Sequence, residues 1–299
     1  MSAFLSMTKR NTALFFKDKG TFFSAMISPL ILLLLFTTFL GNVYRDSLMS
    51  ALPEGLQLDE SVIEGFVIGW LFSSLLAVCC ITTAFTANMI MVQDKVNGTR
   101  NDLTITPVKS SVLALSYYFS TAFVSLLICL VCAGVAFVYL GAVGWYLSMT
   151  DVVLLLCDIV LAVMFGTALS SVVCCFLKSQ GAISAVTAIV SAGYGFLCGA
   201  YMPISSFSDG IRNFISLLPG TYATSLLRNH MVSGALEKMA SDGVPEQVVE
   251  GIKDAFDINM YFFDESVNIP QMYIIVCSTV ALLIGIYVVI NLIAGKKEN

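Results

Sequence analysis

Few side chains in this sequence could carry chemistry, and they do not assemble into a catalytic set. There is one histidine, His230, beside Arg228. Asp158 is the only ionisable residue well inside a predicted apolar span. Cys129 and Cys132 stand one helical turn apart, without a second ligand pair to complete a metal site. Covalent catalysis needs a nucleophile within reach of a base, and a lone histidine reads instead as an interfacial polar residue. The cysteine pair reads as two small buried hydrophobes. Asp158 is a stronger candidate, because an ionisable group at membrane depth is costly to keep. It is expected either to line a path or bind a cationic substrate, or to pair with a serine or threonine of a neighbouring helix near the outer surface.

The elements that must position these residues are long apolar helices. The chain is 58% hydrophobic and only 12% charged, against about 25% charged in soluble domains. Six runs are long enough to cross the ~30 Å hydrocarbon slab as helices: residues 21–42, 64–92, 111–140, 151–177, 181–203 and 270–294. The fold class predicted is therefore an all-α, polytopic membrane protein. With the N-terminus inside, ten of the fifteen basic residues fall on the inner side and fifteen of the twenty acids on the outer. The short-loop Lys/Arg bias then predicts that both termini are cytoplasmic. The first apolar run starts late and lacks a small-x-small site, so no cleavable signal peptide is expected. All nine cysteines fall within spans, which argues against a disulfide framework in the outer loops.

Three segments between the spans carry information. Residues 2–20 place Phe4, Leu5, Met7, Leu14, Phe15 and Phe16 on one arc and Lys9, Arg10 and Lys17 opposite. This predicts an interfacial helix turned toward anionic headgroups, or a basic flank that orients the first span. Residues 93–110 (QDKVNGTRNDLTITPVKS) form a short polar connection between spans two and three. Asn97-Gly98 signals a turn, Thr99 or Asn101 can cap a short helix, and Pro107 biases Thr106 away from helix. Residues 204–268 form the outer region. There Phe207–Leu218 and Thr221–Met231 flank Pro219-Gly220, each too short to span, which predicts a re-entrant or surface-hugging helical pair. Gly234–Asp264 reads as a soluble acidic segment whose Val248, Val249, Ile252, Ala255 and Phe256 share a face. In the fifth span Ser191, Gly195 and Gly199 make a small-residue stripe, suited to a subunit interface or to tight packing within one subunit.

These loops, in order, resemble the membrane subunit of a type-2 ATP-binding-cassette exporter, over nearly the whole chain. The resemblance rests on RNTALFFKDKGTFFSAMISPLILLLLF, QDKVNGTRNDLTITPVKSSVLALSYY, GAYMPISSFSDGIRNFISLLPGTYATSLLRNHM and the acidic amphipathic segment before the last span. Asp94, Lys95, Gly98, Thr99, Arg100, Asp102, Leu103, Thr106 and Pro107 match the family's coupling-helix pattern. Pro203, Pro219, Tyr222 and Arg228 match its outer re-entrant segment, an external gate. The resemblance implies one permease domain over 1–299 that works as a homodimer or heterodimer, each copy resting on a cytoplasmic ATPase subunit. It implies a multi-pass protein of the bacterial cytoplasmic membrane. The chain has no G-x4-G-K-[S/T] phosphate loop, so it is not expected to be an enzyme or to bind a cofactor itself; ATP would be used by the partner.

The apolar spans suggest an amphipathic or hydrophobic cargo such as a drug, a peptide or a lipid-linked molecule, with polysaccharide or lipid-glycan export as the alternative. Membrane lipids are expected neighbours and nucleic acid is not. Other readings are a membrane enzyme, an ion-coupled transporter, and a scaffold on the same fold. Ion coupling usually brings inverted repeats and buried charges; here no halves correspond, and Asp158 alone is thin provision.

Overall fold

The computed structural model describes residues 2–53, 58–105, 108–263 and 265–297. The chain is almost wholly helical, as backbone in hydrocarbon must be to satisfy its own hydrogen bonds. In order, the elements are α1 (Ser2–Lys17), α2 (Lys19–Leu35), α3 (Gly41–Ala51), α4 (Glu60–Ala87), α5 (Met89–Val96), α6 (Thr99–Ile105) and α7 (Ser110–Val143). They continue with α8 (Met149–Phe176), α9 (Gln180–Leu197), α10 (Asp209–Ser216), α11 (Pro219–Ser241), α12 (Glu246–Ala255) and α13 (Ile269–Lys297). A short antiparallel hairpin, β1 (Met260–Phe262) and β2 (Glu265–Val267), precedes α13. A π-helical turn, Phe36–Leu40, joins α2 to α3.

Among the described residues six helical stretches are long and apolar enough to cross a membrane: Lys19–Ala51, Glu60–Val96, Ser110–Val143, Met149–Phe176, Gln180–Leu197 and Ile269–Ile293. Their positions agree with the six runs read from the sequence. They differ in depth within the bundle. In the most apolar window of Glu60–Val96, 94% is buried, against 25% in Lys19–Ala51 and 17% in Gln180–Leu197 and in Ile269–Ile293. A helix apolar all round belongs at the centre, and α4 takes that place, packed by α2, α7, α8, α9 and α11. Close crossing is possible because small residues stand where helices meet; a Cβ on Gly166 of α8 would lie 2.8 Å from the Cys80 carbonyl of α4. The outer helices leave Phe23, Leu30, Leu34, Val131, Val138, Ile274 and Leu282 exposed, as a chain surrounded by lipid can.

The bundle has two ends. One, the elbow end, gathers α1, α6, the start of α7 and the end of α8. The far end gathers α3, α10, α12 and the hairpin. Several expectations change there. The helix after Pro219 does not stop at Met231 but runs 23 residues to Ser241. It is a core element with Tyr222, Leu226, Leu227, Met231 and Leu236 buried. Its polar residues lower its hydropathy but face partners inside the protein, so hydropathy alone mistook a packed helix for a short one. Residues 234–241 are thus helix rather than soluble segment. In α12 Val249, Ile252 and adjoining Phe256 are buried as expected, whereas Ala255 is exposed. The fifth span ends as a helix at Leu197, not residue 203.

Candidate functional site

At the elbow, α5 follows α4 after a turn at Asn88 and ends at Val96, capped by Asn97. Gly98 follows with φ +78°, a left-handed conformation open to a residue without Cβ, and the chain turns into α6. Asp94 sits one turn after Ile90 and Met91 and is buried like them. Arg10 of α1 grips it from both sides, Nη1 to Oδ2 at 2.5 Å and Nη2 to Oδ1 at 3.0 Å, and the Tyr117 hydroxyl of α7 donates to Oδ2 at 2.5 Å. Two-pronged arginine–carboxylate contacts are among the stronger hydrogen bonds. Lys95 donates to the carbonyls of Cys174 and Cys175 at 2.9 and 3.0 Å, placing a cation at the C-terminal end of α8, where the helix dipole favours it. Arg100 Nη2 donates to Asn291 Oδ1 of α13 at 3.0 Å.

The residues assigned to coupling therefore divide. Asp94, Lys95 and Arg100 turn inward and fasten the elbow to α1, α7, α8 and α13. Asn101 and Asp102 are exposed, Thr99 is half-buried, and half-buried Leu103 packs against the core. Thr106 and Pro107 lie outside the described residues. Arg10 meets Asp94 rather than the headgroups expected for it, and Phe15 and Asn11 of the same helix are buried.

At the far end, Arg228 of α11 is only 1% exposed. Its Nη2 donates to the Gly199 carbonyl at 2.7 Å and to Ser74 Oγ at 3.3 Å, and its Nη1 to the carbonyls of Phe256 and Asp257 at 3.2 and 3.3 Å. The guanidinium carbon stands 4.6 Å from the Trp70 ring centroid, within cation–π range. Trp70 Nε1 donates to the Phe256 carbonyl at 2.9 Å. Asp257 adopts φ +52°, which aspartate tolerates better than most residues. Its carboxylate accepts from the backbone N–H of Ile204 and, at 3.2 Å, from that of Ser205, while Arg228 Nη1 lies 3.6 Å from Oδ2. Burial pushes the Asp257 carboxyl up to about 6, against the opposing pull of Arg228 and the two N–H groups.

The four outer residues named from the sequence fall in this region. Pro219 occupies the first turn of α11, and Pro203 precedes the turn Ile204–Ser206. The Tyr222 hydroxyl donates to the Ser216 carbonyl at 2.6 Å and folds α10 onto α11. The sequence reading missed Trp70 and Asp257. A tryptophan inside a span, and an acid flanked by Phe256 and Ile258, were the available signals.

Asp158 pairs with neither serine nor threonine. Its Oδ2 accepts from His230 Nδ1 at 2.5 Å and its Oδ1 from the Tyr273 hydroxyl at 2.5 Å. This ties α8, α11 and α13 together, and it makes His230 a buried partner rather than an interfacial residue. In the small-residue stripe, the Tyr201 ring folds back over Gly195, where a Cβ would lie 2.2 Å from it, and its hydroxyl donates to the Ser191 carbonyl at 3.1 Å. Gly199, at φ +72°, turns the chain out of the helix. The thiols meet a companion the sequence did not reveal: Cys79 Sγ lies 3.7 Å from Cys129 and 3.8 Å from Cys132. Among the described residues no group of three or more ligating side chains is arranged to hold a metal ion. Of the pair expected to be buried, Cys129 is buried and Cys132 half-buried.

Two comparisons bear on this arrangement. A family model described as ABC-2 type transporter matches residues 2–232, from α1 into α11. Among curated proteins nothing matches the chain.

Proposed function

Because this chain belongs to the ABC-2 type transporter family, we propose that it is the permease subunit of an ATP-driven exporter with an amphipathic or hydrophobic cargo. The family's membrane domain is a transport permease and not a catalytic domain. In this reading ATP is hydrolysed on a separate cytoplasmic subunit, two permease copies pair, and the protein sits in a bacterial cytoplasmic membrane with both termini inside. The elbow end is then cytoplasmic and the far end external.

The observation that carries the reading is that α4 and α5, parted only by a turn at Asn88, form one central stretch. Glu60–Val96 runs 37 residues through the middle of the bundle, about 55 Å at 1.5 Å per residue. One end becomes the elbow, and the opposite half carries Trp70 and Ser74 into the Arg228 cluster. An ATPase that seats α6 against exposed Asn101 and Asp102 pushes on a base held by Asp94, Lys95 and Arg100. Because that base is bonded to four other helices, the push moves the bundle instead of bending one loop. At the other end the same rod displaces the Gly199, Phe256 and Asp257 backbone that Arg228 collects, which opens or closes the outer seal.

Co-purification tests the reading directly. A tagged chain is expected to bring down a nucleotide-binding subunit, and Asp102→Arg to lose it while the permease still folds. A wild-type chain that captures no such subunit from its native membrane removes the export reading.

A further inference from the structure

Between the π-turn, α3, α4 and the later part of α7 lies a cavity of about 170 Å³ that the export cycle described above does not use. Its floor is apolar and aromatic: Phe36, Val67, Leu71 and Phe72 are all buried. Its rim is exposed and differs on two sides. Tyr139 stands on one, its ring 5.8 Å from that of Phe72. Arg45 and Glu64 stand on the other. The space has a local cause. A π-turn at Phe36–Leu40 widens the helix where it passes α4, a distortion frequent at functional sites, and Gly41 contributes no side chain to the wall.

Size and charge together select an occupant. A dry protein cavity of about 150 Å³ accepts a benzene ring, so this one has room for a small head group and not for a whole drug. On the rim, Arg45 Nη2 lies 2.6 Å from Glu60 Oε1 and Nη1 lies 3.6 Å from Glu64 Oε1. Two carboxylates facing one guanidinium leave a negative charge in excess. An anion would have to separate Arg45 from its glutamates. A cation with apolar substituents would meet a carboxylate at the rim and a lining that includes Phe36, Phe72 and Tyr139, the residue types that suit a quaternary ammonium. We propose that this cavity binds the head group of a cationic amphiphile, a quaternary or protonated amine whose tail remains in the surrounding lipid. This names a cargo class for the exporter and rests on that reading for its role, although binding itself does not.

The test uses the full chain, purified in a neutral maltoside detergent, and tritiated decyltrimethylammonium below its micelle concentration. Saturable binding is expected, displaced by the unlabelled cation and not by decyl sulfate. Glu64→Gln, an isosteric change at the exposed rim, should weaken it about fivefold, the scale of a partly exposed ion pair. Arg45→Gln should tighten it, because the competing cation is gone. Leu71→Trp, which fills the floor, should remove the saturable component. Displacement by decyl sulfate, weaker binding in Arg45→Gln, or unchanged binding in Glu64→Gln would each overturn the proposal. A chain that captures an ATPase but shows no saturable cation binding loses this site alone; one that binds the cation but captures no ATPase keeps the site and loses the export reading.

Discussion

The elbow and the far end are each fastened by an arginine and an aspartate, but by opposite means. At the elbow Arg10 and Asp94 meet directly, two prongs on two oxygens, with a tyrosine beside them. The arginine side chain remains 34% exposed. At the far end Arg228 and Asp257 are both buried and stand 3.6 Å apart. Each makes its shorter contacts with backbone: the arginine with carbonyls, the aspartate with N–H groups. A side-chain pair at a wet edge can open by exchanging a few bonds with water. A pair bound into the backbone of three segments moves with them as one piece. The elbow is therefore the adjustable end and the Arg228 cluster the rigid one.

The largest expected effect tests that rigidity. Arg228→Ala should cost about 3–5 kcal/mol, since it strands a buried carboxylate and several carbonyls, and should appear as a large drop in thermal unfolding temperature in detergent. Arg228→Lys should recover little, because an ammonium lacks the fork that reaches Gly199 and Phe256 together. A loss below about 1 kcal/mol would end the contrast between the two ends.

The next effect depends on pH. Asp257 binds its proton more tightly when folded (about 6) than at its ordinary 3.8. Its contribution to stability is therefore complete below 3.8 and lost as pH rises through about 6. Unfolding temperature should rise as pH falls from 7 to 5 in the wild type, and that rise should be smaller in Asp257→Asn. Equal slopes in the two proteins would remove Asp257 as the source.

Asp94→Asn should cost less, about 1–2 kcal/mol, because partly exposed Arg10 regains water and an acceptor remains for Tyr117. If it costs as much as Arg228→Ala, the elbow is no softer than the far end. The smallest effect on stability should come from Asp102→Arg, within about 0.5 kcal/mol for an exposed position, though ATPase capture should fall. Stability and coupling parting company in this variant would sharpen the division between the inward-facing and outward-facing residues of the elbow.

Much of the molecule was legible in advance for a physical reason. Hydrocarbon imposes length and apolarity on any helix that crosses it, so the six spans could be read from composition alone. The Asn97-Gly98 turn and the short helix after it followed from local backbone preference. Hydropathy misplaces the end of α11 because Thr224, Ser225, Arg228 and His230 lower it while being buried. Partners far away in sequence satisfy Arg228 and His230: Ser74 and Gly199 for the first, Asp158 for the second. No window along the chain contains that information.

The sequence by itself determined which segments enter the membrane, how many helices do so, and where the connecting loops turn, because each depends on neighbours along the chain. Only the tertiary structure decided that Asp94 faces inward to Arg10, that Tyr201 covers Gly195, and that Arg228 joins α4 to the backbone around Phe256. Those outcomes depend on which helices lie side by side. A buried polar group is tolerable only beside a partner, and packing chooses the partner.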